Sequence, residues 1–170
     1  MKNNLLLACA FALFVIKSNA QSNGDIISRT PVAFPSYNAV KDISWYYEQS
    51  DYEHAIDDKS VSYERITYYS DGLKVIAFVA GSHHKTDKKL PVIIFNRGSL
   101  IRNDIAFVHA PLFQKLVKQG FVLLAPALRQ SEGGEGKDEL GGKELNDIMN
   151  TWPLLERLPE ADRNNVFMLG

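Results

Sequence analysis

The chain has 170 residues, a formal net charge of -1 and a sequence pI near 6.4. This balanced charge excludes the strongly basic surface of a nucleic-acid-binding protein and gives no attraction to an anionic membrane. With 45% hydrophobic and 23% charged residues, the composition is typical of one globular domain.

Residues 1–20 have the pattern of a secretory signal peptide: a basic residue, an apolar run over 5–16, and small Ser18 and Ala20 before the cut. A transmembrane anchor is the alternative, but this run is shorter than the ~20 residues that span a bilayer. Cys9 lies in a lipoprotein-like box, although cleavage there would leave almost no apolar region. We therefore expect cleavage after Ala20, export to the periplasm or exterior, and no stable membrane insertion.

The mature chain begins with an N-terminal arm, residues 21–59. Residues 21–37 are polar and are predicted to be extended, whereas the aromatic-rich residues 39–55 favour a short helix. Cys9 is the only cysteine, so the mature chain has no thiol. Disulfides, cysteine nucleophiles and thiolate metal sites are therefore excluded.

A β-hairpin follows the arm. Residues 60–69 and 73–79 are rich in β-branched and aromatic side chains, and Asp71-Gly72 between them is a turn signal. The domain that starts at residue 60 is predicted to continue to Gly170.

Strands and helices then alternate in the order β, α, β, α, β. Continuous apolar runs at 91–95, 121–125 and 166–169 indicate strands buried on both faces, and the helices are predicted at 111–118 and 143–158. This order predicts an α/β fold with a parallel sheet, in which chemistry lies beyond the carboxyl ends of the strands.

The second helix and the loop before it carry further signals. The helix has one apolar stripe that predicts core packing, and Pro153 must kink or break it; the stripe consists of Leu145, Ile148, Met149, Trp152 and Leu155. The glycine-rich loop 127–142 contains four carboxylates that would repel a phosphate, so we interpret it as a flexible loop over a site.

The loop 96–99 (Asn-Arg-Gly-Ser) follows the first buried strand and can offer backbone N–H groups to a developing oxyanion. A tight turn that needs Gly98 for its backbone conformation explains the same residues equally well. The sequence does not decide between these two interpretations.

From residue 116 onward, several short segments occur in the same order as in a known family of enzymes. They are LVKQGFV (116–122), APALRQS (125–131), GEGKDELGG (134–142), NDI (146–148) and LPEADRNNVFMLG (158–170). The series resembles the catalytic domain of the prolyl oligopeptidase family of α/β-hydrolases and the related dienelactone-hydrolase-like proteins. The resemblance covers about residues 60–170 and implies the N-terminal part of an α/β-hydrolase sheet.

The resemblance also implies where the catalytic groups belong. In that family the last strand leads into a Gly-x-Ser-x-Gly turn, and Gly170 matches its first glycine. The serine is then expected two residues after Gly170, and the acid and the histidine follow it, so none of the three is in this chain. Arg97 and Gly98 match the oxyanion loop, which usually reads His-Gly-Gly-Pro. Arg97 departs from that pattern and could instead direct its guanidinium at a substrate carboxylate.

The sequence therefore predicts the front portion of an exported serine hydrolase, inactive as it stands. Its full-length form would act on a small ester or peptide substrate, although the arm is too short for the β-propeller that gates prolyl oligopeptidases. No cofactor, metal or nucleic acid is implied. A strand that ends at Leu169 predicts an apolar edge and poor solubility.

The alternative is a non-catalytic exported binding module. Its aromatic residues would stack on sugars or cover a partner; these are Trp45, Tyr46, Tyr47 and Tyr52. The same residues are also explained if they pack the arm onto the sheet.

Overall fold

The computed structural model describes residues 21–40, 42–84, 87–98 and 105–170, so the predicted signal peptide lies outside the described residues. In chain order the strands are β1 (Ile26–Pro31), β2 (Val61–Ser70), β3 (Leu73–Ser82), β4 (Leu90–Phe95), β5 (Val122–Pro126) and β6 (Ala161–Leu169). The helices are α1 (Gln49–Asp57), α2 (Ile105–Val108), α3 (Ala110–Lys118), α4 (Leu145–Met149) and α5 (Thr151–Leu155). The strands form one sheet in the order β1-β2-β3-β5-β4-β6.

The predicted hairpin of β2 and β3 is confirmed and is longer than the sequence indicated. The two strands pair antiparallel from Val61 opposite Ser82 to Ser70 opposite Leu73. Asp71 and Gly72 have φ angles of 52° and 78°, as a two-residue hairpin turn of the primed type requires. The Asp-Gly signal therefore located the turn correctly.

The N-terminal arm contains a strand that the sequence did not predict. Strand β1 pairs antiparallel with β2 and forms one edge of the sheet. Its Arg29 guanidinium lies 2.5 Å from Glu64 and 2.6 Å from Glu160, both half-buried carboxylates. Most of the side chains of β1 are exposed, which explains why its composition is polar and gave no strand signal.

The parallel part of the sheet is confirmed, together with the α/β fold class. Strand β4 pairs parallel with β5 on one side and with β6 on the other. Strand β5 joins this unit to the hairpin, because it also pairs antiparallel with β3. A strand that arrives after β4 in the chain thus separates β4 from the hairpin, and the sheet is mixed rather than purely parallel.

Both faces of the central strands are covered, so successive residues of one such strand enter opposite cores. On one face Phe78, Ile93 and Leu123 pack with residues of α1 and α3. On the other face Val79, Ile94 and Leu124 pack with residues of α5 and the turn after it. This arrangement explains the continuous apolar runs that marked β4 and β5 in the sequence.

The helix predicted over residues 143–158 is two short helices, and only Ile148 and Leu155 of its stripe pack against the core. Leu145, Met149 and Trp152 are 50%, 68% and 53% exposed, whereas Leu155 is buried. The chain breaks at Asn150, between α4 and α5, and Pro153 lies in the first turn of α5. A proline there loses no helical hydrogen bond, so the break falls upstream of it.

The prediction that the last strand is buried on both faces is wrong for this chain. Val166 packs against the core, but Phe167, Met168 and Leu169 are 54%, 64% and 41% exposed. Strand β6 is the second edge of the described sheet, so its outer side has no neighbouring strand there. The expectation of an exposed apolar edge is met by these residues.

Candidate active site

The carboxyl ends of β4 and β6 meet at one edge of the sheet, where the sequence placed the oxyanion loop and Gly170. The backbone N–H of Asn96 donates a hydrogen bond to the carbonyl of Leu169 at 2.7 Å. A Cβ atom on Gly170 would lie only 2.7 Å from the Asn96 carbonyl oxygen. A side chain at residue 170 would therefore have to push the two strand ends apart.

Arg97 is held inside the protein by a buried ion pair. Its guanidinium lies 2.7 Å from Asp138, and both side chains are only 4% exposed. The Nε of Arg97 also donates to the carbonyl of Ala127 at 3.0 Å. This pairing with Asp138 gives no support to the suggestion that Arg97 directs its charge at a substrate carboxylate. The ion pair instead fastens the loop after β4 to the loop after β5.

Gly98 is exposed, and its φ angle is outside the left-handed region. A Cβ atom built at this position meets no atom within 4 Å among the described residues. Neither backbone conformation nor crowding there requires a glycine, so the tight-turn interpretation gains no support. The role of the Arg97 and Gly98 backbone N–H groups in an oxyanion hole stays a prediction.

A second buried ion pair supports the loop that follows β5. Arg129 donates from its backbone N–H and its guanidinium to the carboxylate of Asp147 at 2.7–3.0 Å, and Asp147 has no exposed surface. The hydroxyl of Ser70 donates to the same carboxylate at 2.6 Å. The guanidinium also reaches Asp71 in the hairpin turn at 3.1 Å. These contacts tie the end of β5 to α4 and to the hairpin.

The glycine-rich loop is fastened to the protein, in contrast to the flexible loop that we predicted. Backbone N–H groups of Glu139, Gly141 and Gly142 donate to the carboxylate of Glu144. Burial raises the pKa of Glu144, but these donors outweigh it and lower the pKa to about 2. The backbone N–H of residue 135 donates to the carbonyl of Lys74 at 2.8 Å, which anchors the loop to β3. These hydrogen bonds hold the loop against β3 and against the residues before α4.

The sequence placed Asn96 in the candidate oxyanion loop but did not predict the burial of its side chain or the ring contact next to it. The Asn96 Oδ1 atom is buried and makes no hydrogen bond within the described part of the chain. Directly before it, the ring of Phe95 packs on His109 with centroids 4.6 Å apart. The apolar run that ends at Phe95 was the available signal, but it cannot show which distant ring the strand end contacts.

A separate cavity of about 490 Å³ lies between α1 and the end of α3. Its wall includes Asp58, whose carboxylate accepts hydrogen bonds from Ser60, Gln114 and Lys118. The bonds from Ser60 contribute most to lowering the Asp58 pKa. The Asp58 carboxylate is thus engaged within the protein, and the residues that line this cavity are not those of the strand-end site.

Among the described residues, no three histidine, cysteine, aspartate or glutamate side chains lie close enough together to hold a metal ion. No helix in those same ranges is both long enough and apolar enough to cross a bilayer.

Comparison with known proteins shows which sequences and structures this chain is similar to. No protein-family model matches the chain. It is 26% identical over 105 residues to the uncharacterized peptidase YtmA of Bacillus subtilis (strain 168), across 62% of this chain and 39% of that one.

Solved structures give the same picture. A hypothetical protein from Pseudomonas aeruginosa matches 65% of this chain and 35% of its own, with TM-score 0.56 and 18% identity. Esterase Est22 matches 68% of this chain and 37% of its own, with TM-score 0.56 and 12% identity. A hyperthermophilic esterase from the archaeon Pyrobaculum calidifontis matches 75% and 43%, with TM-score 0.51 and 14% identity. The chain thus spans less than half of each of these proteins and shares their fold.

Proposed function

We propose that this chain, which has the α/β-hydrolase fold, is the N-terminal part of the catalytic domain of an exported serine hydrolase. The domain would cleave an ester or peptide bond through an acyl-serine intermediate. The observation that supports this most is the close approach of Gly170 to Asn96. A strand that ends in a glycine packed closely against the end of β4 suits the start of a nucleophile elbow.

The proposed reaction assigns a role to each strand end. The serine two residues after Gly170 attacks the carbonyl carbon of the substrate, and a histidine takes its proton and passes it to the leaving group. The backbone N–H groups of Arg97 and Gly98 stabilise the oxyanion that forms during this attack. The Arg97–Asp138 ion pair holds that backbone in place. Water then cleaves the acyl-serine and restores the free enzyme.

The first test is to sequence the DNA downstream of the Gly170 codon in all three frames. A frame that continues as x-Ser-x-Gly, with later Asp and His codons, supports the proposal and identifies the nucleophile. If no frame does so, the proposal fails.

The second test uses a serine-directed fluorophosphonate probe. The chain of 170 residues should not be labelled, whereas the extended protein should be labelled at the new serine. The matched control is the extended protein with that serine changed to alanine, which should lose the label. Stoichiometric labelling of the shorter chain would contradict the proposed position of the nucleophile.

Export is tested by N-terminal sequencing of the mature protein, which should begin at Gln21. A leucine at position 20 is too large for the site before the cut, so Ala20→Leu should leave the precursor uncleaved. A matched Ala12→Leu variant keeps the run apolar and should be processed normally. Retention of the full precursor by the unmodified chain would argue against a cleaved signal.

A further inference from the structure

The segment 43–47 of the N-terminal arm is fixed against the domain. Ile43 is 3% exposed and belongs to the core on the α3 side of the sheet. The hydroxyl of Tyr37 donates a hydrogen bond to the carbonyl of Tyr47 at 2.7 Å. The residues between these two anchors, Trp45 and Tyr46, therefore have a defined position on the surface.

The aromatic residues between positions 45 and 52 differ in burial, and Tyr47 is only partly buried. Tyr52 is completely buried and packs the arm onto the sheet, as the packing interpretation expected. Trp45 and Tyr46, in contrast, are 75% and 51% exposed. Two large adjacent rings on a fixed segment offer a surface that an apolar ligand group can cover.

One of these exposed rings, Tyr46, is linked by ring contacts to the candidate active site. The ring of Tyr46 meets the ring of His109 edge-on, with centroids 6.0 Å apart. His109 in turn packs on Phe95, the last residue of β4, at 4.6 Å. The residue after Phe95 is Asn96, which begins the predicted oxyanion loop. Tyr46 is thus only two ring contacts from the strand end at which the bond would be cleaved.

We propose that Tyr46 and Trp45 form an aromatic wall that binds an aromatic group of the ester or peptide substrate, and this inference rests on the proposed function. The Tyr46 ring meets the ring of His109, which packs on Phe95, and these ring contacts favour a flat apolar group over a sugar that needs many hydrogen-bond partners. The wall would select substrates by their side chain or leaving group, while the strand ends act on the scissile bond.

Binding to the chain itself is the test, because it needs no catalysis. In a Trp152→Phe background, Trp45 is the only tryptophan, so its fluorescence reports on the wall. N-acetyl-phenylalaninamide should change that fluorescence saturably, and N-acetyl-alaninamide should not. Tyr46→Leu should weaken binding roughly threefold to tenfold, the loss of one aromatic contact, whereas Tyr46→Phe should retain it.

Trp152, on the other face of the sheet, serves as the control for an exposed tryptophan outside the proposed wall. Trp152 is 53% exposed and lies on α5, which packs on the opposite core. In the chain with both tryptophans, ligand-detected NMR should show that Trp152→Ala leaves binding unchanged and that Trp45→Ala weakens it. Equal losses from both variants, an unsaturable signal, or saturable binding of an oligosaccharide in place of the phenylalanine amide would each overturn the proposal.

The same variants separate this inference from the proposed function. In the extended protein, Tyr46→Leu should lower kcat/KM for a phenyl ester more than for a methyl ester of the same acid, with fluorophosphonate labelling unchanged. Labelling with no change in that ratio would refute the wall and leave the hydrolase standing. Aromatic binding to the chain without any labelling would refute the hydrolase and leave the wall.

Discussion

The buried ion pair between Arg129 and Asp147 gives a sharp prediction about stability. Arg129→Met removes two of the hydrogen bonds to the Asp147 carboxylate, at 3.0 and 2.8 Å, and leaves that carboxylate without its counter-charge. Asp147 has no exposed surface, so water cannot replace the guanidinium without opening the loop. We expect a loss of roughly 3–5 kcal/mol in the free energy of unfolding, a large share of the ~5–15 kcal/mol of a typical domain.

The partner variant Asp147→Leu should cost less. Arg129 keeps a second carboxylate, that of Asp71, at 3.1 Å, and the Asp71 side chain is 33% exposed. Its charge therefore stays partly compensated near solvent. The double variant Arg129→Met/Asp147→Leu should be more stable than Arg129→Met alone, because neither charge is then buried without a partner.

Urea unfolding of the purified chain, followed by circular dichroism, measures all three variants. The control is Arg163→Met, which breaks the exposed ion pair to Glu156 and should cost less than about 1 kcal/mol. A cost for Arg129→Met as small as that of Arg163→Met would refute the reasoning. So would a double variant whose cost equals the sum of the two single costs.

Three further predictions concern single positions. Because folding lowers the pKa of Glu144 from 4.5 to about 2, its contribution to stability is present above pH ~4.5 and is lost as the pH falls towards 2; Glu144→Gln should remove this acid dependence in urea unfolding, and an unchanged pH profile would contradict it. Gly170→Ala should displace the end of β4, since its Cβ would meet the Asn96 carbonyl, and an unchanged NMR shift of the Asn96 amide would argue against that contact. Gly72→Ala places a Cβ at φ 78° in open space and should cost about 1–2 kcal/mol by backbone strain alone, measured by the same unfolding assay; a neutral effect would exclude strain there.

The sequence predicted the elements whose signal is local. Val92 to Phe95 are four consecutive apolar residues because both faces of β4 are covered, and this burial is visible in the composition itself. The Asp71-Gly72 turn was equally readable, since its positive φ angles need residues that tolerate them. The sheet class and the hairpin follow from these signals together with the alternation of strands and helices.

The remaining features depend on partners that are distant in the chain. Strand β1 is polar and exists because β2 accepts it, with Arg29 reaching Glu160 far along the sequence. Arg97 and Asp138 are 41 residues apart, and no local pattern indicates that they meet. The apolar period of α4 and α5 correctly indicated helix, but periodicity does not tell which stripe another element covers, so exposed Trp152 was assigned to a core.

The position of β5 between β3 and β4 has a consequence for the order in which the chain can fold during synthesis. When β4 leaves the ribosome, neither of its neighbours has been made, because β5 and β6 come later in the chain. The hairpin can close early, but the run that becomes β4 must wait with its apolar side chains uncovered. Such a segment is a natural binding site for a chaperone that delays folding. Because the central strand pairs late, the nascent chain stays unfolded for longer than a chain that folds as it emerges. An unfolded chain can still pass through a narrow pore.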